Sequence, residues 1–194
     1  MAPLKPHTPP LPSPGNPLAG QGEGWEGSIP NPQLVYLGIG SNQGDRLALL
    51  RTAIAHLAPA IHLQRSSSLY ESPPWGYLPQ PPFLNAVLET TTALEPFALL
   101  QTLKAIEQAL GRTSGPRYGP RPIDIDILIF DQLHLTHPSL TIPHLRIAER
   151  SFVLVPLAEL APNLQLDPAG PTISALRDQR SDRDQVRLVQ QQWI

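Results

Sequence analysis

Cysteine is absent from all 194 positions of this chain, which excludes disulfides and thiolate zinc sites and suits a reducing compartment. A dominant charge is absent too. Fourteen Lys and Arg against 16 Asp and Glu leave a formal net charge of −2, so composition gives no reason to expect nucleic acid or an anionic membrane as partner. No segment approaches the ~20 continuous apolar residues of a membrane span, and the N-terminus, with one lysine and many prolines, lacks the apolar core of a signal peptide. These absences lead to the expectation of a soluble, cytoplasmic protein, and a monomer is expected. Its length suffices for one well-buried domain with residues to spare.

Proline, in contrast, is plentiful. Nine prolines and several glycines crowd residues 1–33, which therefore read as a disordered tail that cannot bury enough surface to offset its ordering entropy. Within it, Pro9-Pro10-Leu11-Pro12 reads as spacer rather than as a polyproline II ligand.

The most informative stretch runs from Arg117 to Phe130, Arg-Tyr-Gly-Pro-Arg-Pro-Ile-Asp-Ile-Asp-Ile-Leu-Ile-Phe. From Ile123 onward it is apolar and β-branched, as a buried strand should be, yet it carries Asp124 and Asp126. Side chains two apart on a strand share a face, so the two carboxylates converge while Ile123, Ile125 and Ile127 fill the opposite side. Paired carboxylates repel, and partly buried charge must be compensated. A hard divalent cation does both, and Mg²⁺ is commonly held by one or two carboxylates plus substrate phosphates. Arg112, Arg117 and Arg121 precede the pair with no acid among them, and their planar forks suit phosphate oxygens. The bland alternative, a solvated acidic face, is outweighed here by the flanking Ile-Leu-Ile-Phe run.

Elsewhere the pattern alternates between strand and helix. Val35 to Ser41 reads as a first strand, with small residues at Gly38 and Gly40 for close backbone approach. A turn then leads to a helix that carries Leu47, Leu50, Ala53, Ile54 and Leu57, with Asp45 as N-cap. The glycines at 38, 40 and 44 fit no nucleotide fingerprint. Ile61 to Tyr70 and Phe83 to Thr92 read as the next strands, joined by a proline-stiffened loop that displays Trp75 and Tyr77. Pro96 opens a second amphipathic helix that ends at Gly111, with Glu107 on its polar side. After the Asp-x-Asp strand come a short edge strand at Leu133-His134-Leu135 and a helix around Phe152 to Leu160. The order strand, helix, strand, strand, helix, strand predicts an α+β, ferredoxin-like βαββαβ sandwich with helices packed mainly on one face. The domain is expected to span 34–168, followed by a polar extension over 169–194 of undetermined packing.

Taken together, Arg117-Tyr118-Gly119-Pro120-Arg121-x-x-Asp124-Ile125-Asp126-Ile127-Leu128 resembles the signature of the 6-hydroxymethyl-7,8-dihydropterin pyrophosphokinase family of folate biosynthesis. Further likenesses follow in family order: Gly38-Ile39-Gly40-Ser41-Asn42, Tyr70-Glu71-Ser72-Pro73-Pro74-Trp75-Gly76, Phe83-Leu84-Asn85-Ala86, and Pro143-His144 with Arg150-x-Phe152-Val153-Leu154. The resemblance implies an ATP-dependent transfer of a diphosphoryl group to the hydroxymethyl oxygen of a reduced pterin, with release of AMP. It implies two Mg²⁺ ions on Asp124 and Asp126, and Arg112 and Arg121 over the transferring group. It also implies nucleotide contacts from Glu107, Arg112, Tyr118, Arg121, Ile127, Leu140, Thr141, His144 and Arg150. Pterin contacts fall to Ser72, Pro73, Pro74, Trp75, Phe83, Asn85, Asp124 and Phe152. The chain departs from some members in a shortened Arg112–Tyr118 loop, in Tyr118 and Leu145, and in Lys104 where others have Gln. These differences bear on loop closure and nucleotide contacts more than on the reaction. Without the resemblance, the residues also allow another Mg-dependent nucleotidyl or glycosyl transferase, or a ferredoxin-like module that binds a ligand without catalysis.

Overall fold

A computed structural model describes residues 31–76, 79–113, 115 and 118–194. The expected tail up to residue 30, Tyr77 and Arg117 lie outside the described residues.

The elements in chain order are β1 (Gln33–Ser41), α1 (Arg46–Leu57), β2 (Ile61–Ser66), β3 (Leu69–Ser72), β4 (Phe83–Thr92), α2 (Pro96–Ala109), β5 (Asp124–Phe130), β6 (Leu135–His137), β7 (Leu140–Ile142), α3 (Ser151–Leu160), α4 (Ile173–Asp178) and β8 (Arg187–Gln190). The main sheet is antiparallel and runs β5-β1-β4-β3-β8, with β2 also paired to β4. β4 thus lies between the strands that α1 connects, and β1 between those that α2 connects. This is the split βαβ order of a ferredoxin-like fold.

Local chemistry accounts for most boundaries. The Asp45 carboxylate accepts the Ala48 amide at 3.0 Å and starts α1. Pro96 opens α2, and Gly111, at φ +90°, follows its end in the left-handed region that glycine tolerates. The strand expected over 61–70 is broken at Ser67 and Ser68. The Ser66 and Ser67 hydroxyls donate to neighbouring carbonyls, and Ser67 Oγ accepts the Val87 amide, so hydroxyls take over ladder positions. The expected edge strand at 133–135 lies two residues later and pairs with β7 in a hairpin of its own.

The two long helices cover one face of the sheet. Leu50 and Leu57 of α1, Leu99 and Leu103 of α2, and Leu37, Leu88 and Ile125 of the strands are all 2 % exposed or less. Burying each such side chain is worth about 1.5–3 kcal/mol. α3 and α4 lie on the other face, where Val153, Leu154 and Leu157 pack with Val87 and Leu128. Residues beyond 168 fold back on the sheet. β8 extends it beyond β3, and Trp193 enters the main core, donating from Nε1 to the Ser67 carbonyl at 2.9 Å while Arg51 holds its own carbonyl.

Candidate active site

β5 positions the centre of the site. Ile123, Ile125 and Ile127 are 0–3 % exposed in the α1–α2 core, so Asp124 and Asp126 turn to the opposite face, where both line one crevice with Asn85 and Phe152. Asn85 stands opposite Gly40 on β1. A Cβ on Gly40 would come within 2.9 Å of Asn85 Oδ1, so the glycine leaves room for the amide, whose Nδ2 donates to Ser72 Oγ at 2.9 Å. Between Tyr36 and Leu37 the β1–β5 register shifts by one residue, and the Leu128 carbonyl accepts the amide of His144 at 2.8 Å. That bond ties the segment after β7 to the strand bearing the carboxylates.

Two clefts meet at this pair. The smaller, with about 40 Å³ of free volume, is lined by Ser72, Pro73, Trp75, Phe83, Tyr118, Arg121, Asp124, Arg150 and Phe152. The larger, of about 360 Å³, is bordered by Lys104, Tyr118, Asp126, Ile127, Leu140, Thr141, His144, Arg146 and Arg150. Nearly all of the residues expected around a pterin face the first cleft or the crevice beneath it. Pro74, in the same loop, lines neither. The expected adenine-side residues Ile127, Leu140 and Thr141 border the second. Glu107 and Arg112 stand apart: neither lines either cleft, and Glu107 is 1 % exposed.

The charges form a graded network. Glu107 Oε1 accepts from Lys104 Nζ at 2.9 Å, from Arg112 Nη1 at 2.6 Å and from the Ile125 amide at 2.7 Å. Burial nevertheless pushes its carboxyl above the usual carboxylate range. Arg112 also bonds Asp124 Oδ1, and Arg121 Nη2 lies 3.2 Å from Asp124 Oδ2. Burial pushes the Asp124 carboxyl up, but Arg121, Arg112 and Lys104 together outweigh it and hold the group below its ordinary value. Asp126 has one more distant partner, Arg150 Nη1 at 3.5 Å. Burial lowers the pKa of His144, opposed by Asp126 and Asp124 and helped by Arg150 and Arg146. His144 Nδ1 faces the Arg146 amide at 3.2 Å, and since an amide only donates, the ring proton sits on Nε2.

Several guanidiniums rest on aromatic rings. Arg121 lies 5.7 Å from the Phe83 centroid, and Arg150 lies 5.1 Å from Trp75 and 5.5 Å from Phe152. The buried Nε atoms of Arg121 and Arg150 have no hydrogen-bond partner among the described residues. Buried donors of this kind are rare unless a ligand completes them.

Two contributors were given no role by the sequence reading, although Asn42 closes the Gly38–Asn42 motif. Asn42, 2 % exposed, donates to Gln80 Oε1 and the Pro81 carbonyl and accepts the Arg121 amide at 2.8 Å. Gln80 in turn donates to the Tyr118 carbonyl, so one asparagine braces three loops around the site. Arg146, the second, lies over Trp75 and Tyr118.

A divalent cation fits this donor set in a limited way. Among the described residues no group of three or more His, Cys, Asp or Glu is placed to hold a metal. Two carboxylates alone suit an ion whose remaining ligands are phosphate oxygens and water, the habit of Mg²⁺.

Residues 36–162 match the family model for 7,8-dihydro-6-hydroxymethylpterin-pyrophosphokinase (HPPK). A 2-amino-4-hydroxy-6-hydroxymethyldihydropteridine pyrophosphokinase of Methylorubrum extorquens is 45 % identical over 150 residues, covering 70 % of this chain and 95 % of that protein. One of the same name from Bacillus subtilis is 44 % identical over 134 residues, covering 68 % and 80 %. Among solved structures, wild-type Plasmodium falciparum HPPK-DHPS with pterin and p-hydroxybenzoate shares the fold at a TM-score of 0.62 and 16 % identity, over 76 % of this chain and 43 % of that one. The motif order, the paired carboxylates between two clefts and these likenesses agree, and the chain belongs to the 7,8-dihydro-6-hydroxymethylpterin-pyrophosphokinase family.

Proposed function

We propose that the junction of the two clefts is where a diphosphoryl group passes from ATP, held in the larger, to the hydroxymethyl oxygen of 6-hydroxymethyl-7,8-dihydropterin, held in the smaller. One observation carries this reading. Asp124 borders the smaller cleft, Asp126 the larger and Arg150 both, so anything passing between them crosses the carboxylate pair.

The hydroxymethyl oxygen forms a bond to the β-phosphorus and gives up its proton to solvent, the bond from that phosphorus to the oxygen shared with the α-phosphate breaks, and AMP leaves. No protein nucleophile is needed; positioning and charge stabilisation suffice in kind. Asp124 and Asp126 would hold two Mg²⁺ ions, which, when bound, would supply positive charge that offsets the triphosphate's negative charge. Arg112 and Arg121 stand over the transferring group, and the unpartnered Nε atoms of Arg121 and Arg150 find acceptors on phosphate oxygens. His144 donates from Nε2. Asp124, held below its usual range, is a poor base and acts through its charge. Glu107 works from beneath β5, aiming Arg112 at Asp124. A flat heterocycle enters the narrow cleft between Phe83 and Phe152 when the guanidiniums of Arg121 and Arg150 leave those rings for phosphate.

Incubation with ATP, Mg²⁺ and 6-hydroxymethyl-7,8-dihydropterin tests the reading. AMP and the pterin diphosphate are the expected products. ADP, free pyrophosphate or no turnover would refute it.

A further inference from the structure

Asp182 lies beyond the stretch that the family model matches, in the polar segment between α4 and β8. It opens the 3₁₀ segment Arg183–Gln185, where its carbonyl accepts the Gln185 amide at 3.1 Å. Its carboxylate reaches α3: Oδ1 accepts the Ser151 hydroxyl at 2.5 Å and Arg180 Nε at 3.0 Å. Ser151 is 3 % exposed and is the first residue of that helix. Burial pushes the Asp182 carboxyl up, but the hydrogen bonds from Arg180 and Ser151 outweigh it and hold the group below its ordinary value, so the bond from Ser151 ends on a full charge.

The two residues that flank Ser151 in the chain both belong to the site. Arg150, before it, borders both clefts, and Phe152, after it, borders the smaller. Little else aims them. The Arg150 guanidinium approaches Asp126 only to 3.5 Å, and its buried Nε has no hydrogen-bond partner among the described residues. Phe152 is partly buried against the apolar cluster of α3 and α4. Both side chains therefore take their direction from the backbone at the start of α3. That start is weakly held from within, because Arg150 at the N-cap makes no capping bond with its side chain and the first turn carries no acid. Asp182 supplies from outside what the helix lacks: a negative charge near its N-terminal end and a strong bond to its first side chain.

We propose that Asp182 is a positioning residue for the pterin: through Ser151 it fixes the start of α3, so that Arg150 and Phe152 are presented to the smaller cleft in a single orientation. This rests on the smaller cleft being the pterin's. It also carries the working part of the chain past the domain boundary expected at residue 168.

The test compares wild type with Ser151→Ala, Asp182→Ala, Asp182→Asn and the double variant Ser151→Ala/Asp182→Ala. Binding of 6-hydroxymethyl-7,8-dihydropterin is measured by calorimetry in the presence of magnesium α,β-methylene-ATP, which cannot break at the α–β bridge, alongside KM for each substrate and the thermal midpoint. A hydrogen bond to a charged group is worth roughly tenfold or more in an equilibrium constant. Ser151→Ala and Asp182→Ala are each expected to weaken pterin binding by up to about that factor. KM for the pterin should rise more than KM for ATP, because of the two clefts Phe152 borders only the smaller. The double variant should lose no more than either single one, since both remove the same bond. Asp182→Asn, which keeps an acceptor in place, should recover part of the loss. Unchanged pterin affinity and KM in both single alanine variants overturn the inference, as does a lowered thermal midpoint with pterin affinity intact, which marks a purely structural role. Losses that add in the double variant also overturn it, because the two residues then act apart. Failure of the wild type to bind the pterin would instead remove the pterin reading of the cleft, and this inference with it.

Discussion

The two faces of the central sheet share their strands and differ in nearly everything else. Along β5, Ile123, Ile125 and Ile127 enter a core closed by α1 and α2, while the interleaved Asp124 and Asp126 meet guanidiniums on the side of α3. A two-residue period thus lets one ribbon serve both stability and chemistry, with each role confined to alternate positions. The division also runs along the second face. Towards α3 and α4 it is apolar, with Leu128 and Val87 against Leu154, and towards the loops it is charged. Substitutions on the two sides of β5 should therefore fail in different ways.

The largest contrast is expected at Asp126. Asp126→Asn should lower turnover by about 10²–10³-fold, the scale of losing one electrostatic anchor of a transition state, with the urea midpoint held near wild type. Retained AMP formation would mean that this face is not the chemical one. Ile125→Ala, one residue away, should do the reverse. Loss of a buried isoleucine costs about 2–5 kcal/mol in urea unfolding, while activity per folded molecule stays close to wild type. Activity that falls without a loss of stability would erase the distinction between the faces.

A smaller effect lies in the polar seam beneath α3. Burial first, then hydrogen bonds to Glu89 and Glu159, raises the phenols of Tyr36 and Tyr70 to about 12. Because the folded pKa exceeds the unfolded value near 10, the stabilisation is whole below pH ~10 and is lost as pH rises from there towards 12. Thermal midpoints across that window, with phenolate absorbance followed in parallel, should show the decline, and Tyr70→Phe should make it shallower. A midpoint that stays flat to pH 12 in the wild type would contradict it.

How much of this could be read from sequence alone depended on periodicity. The face assignment of β5 follows from alternation, and the bounds of α1 and α2 from Asp45, Pro96 and Gly111, because caps and periods are local. The break at Ser67 and Ser68 was hidden because the sequence from Ile61 to Tyr70 contains no glycine or proline to mark an interruption, and only the hydroxyl bonds to neighbouring carbonyls and to the Val87 amide interrupt it. The burial of Trp193 under a polar tail sequence depends on contacts with Ser67 and Arg51, both more than a hundred residues away. Asn42 and Arg146 sit in turns, where no period reports what a side chain touches. Glu107 looked like a residue on a helix's polar side, and a buried acid fed by two cations and an amide has no signature shorter than the fold itself.

The one-residue shift in β5 sets the phase of the strand. Upstream of it the carboxylates point to the clefts; downstream Phe130 points to the α1–α2 core, although strict alternation would send it the other way. Without that irregularity, strict alternation would either evict the ring from the core or turn both aspartates into it. The Leu128 carbonyl also anchors His144, so the wall of the larger cleft and the strand that carries the carboxylates cannot be retuned separately: a change that shifts one moves the other.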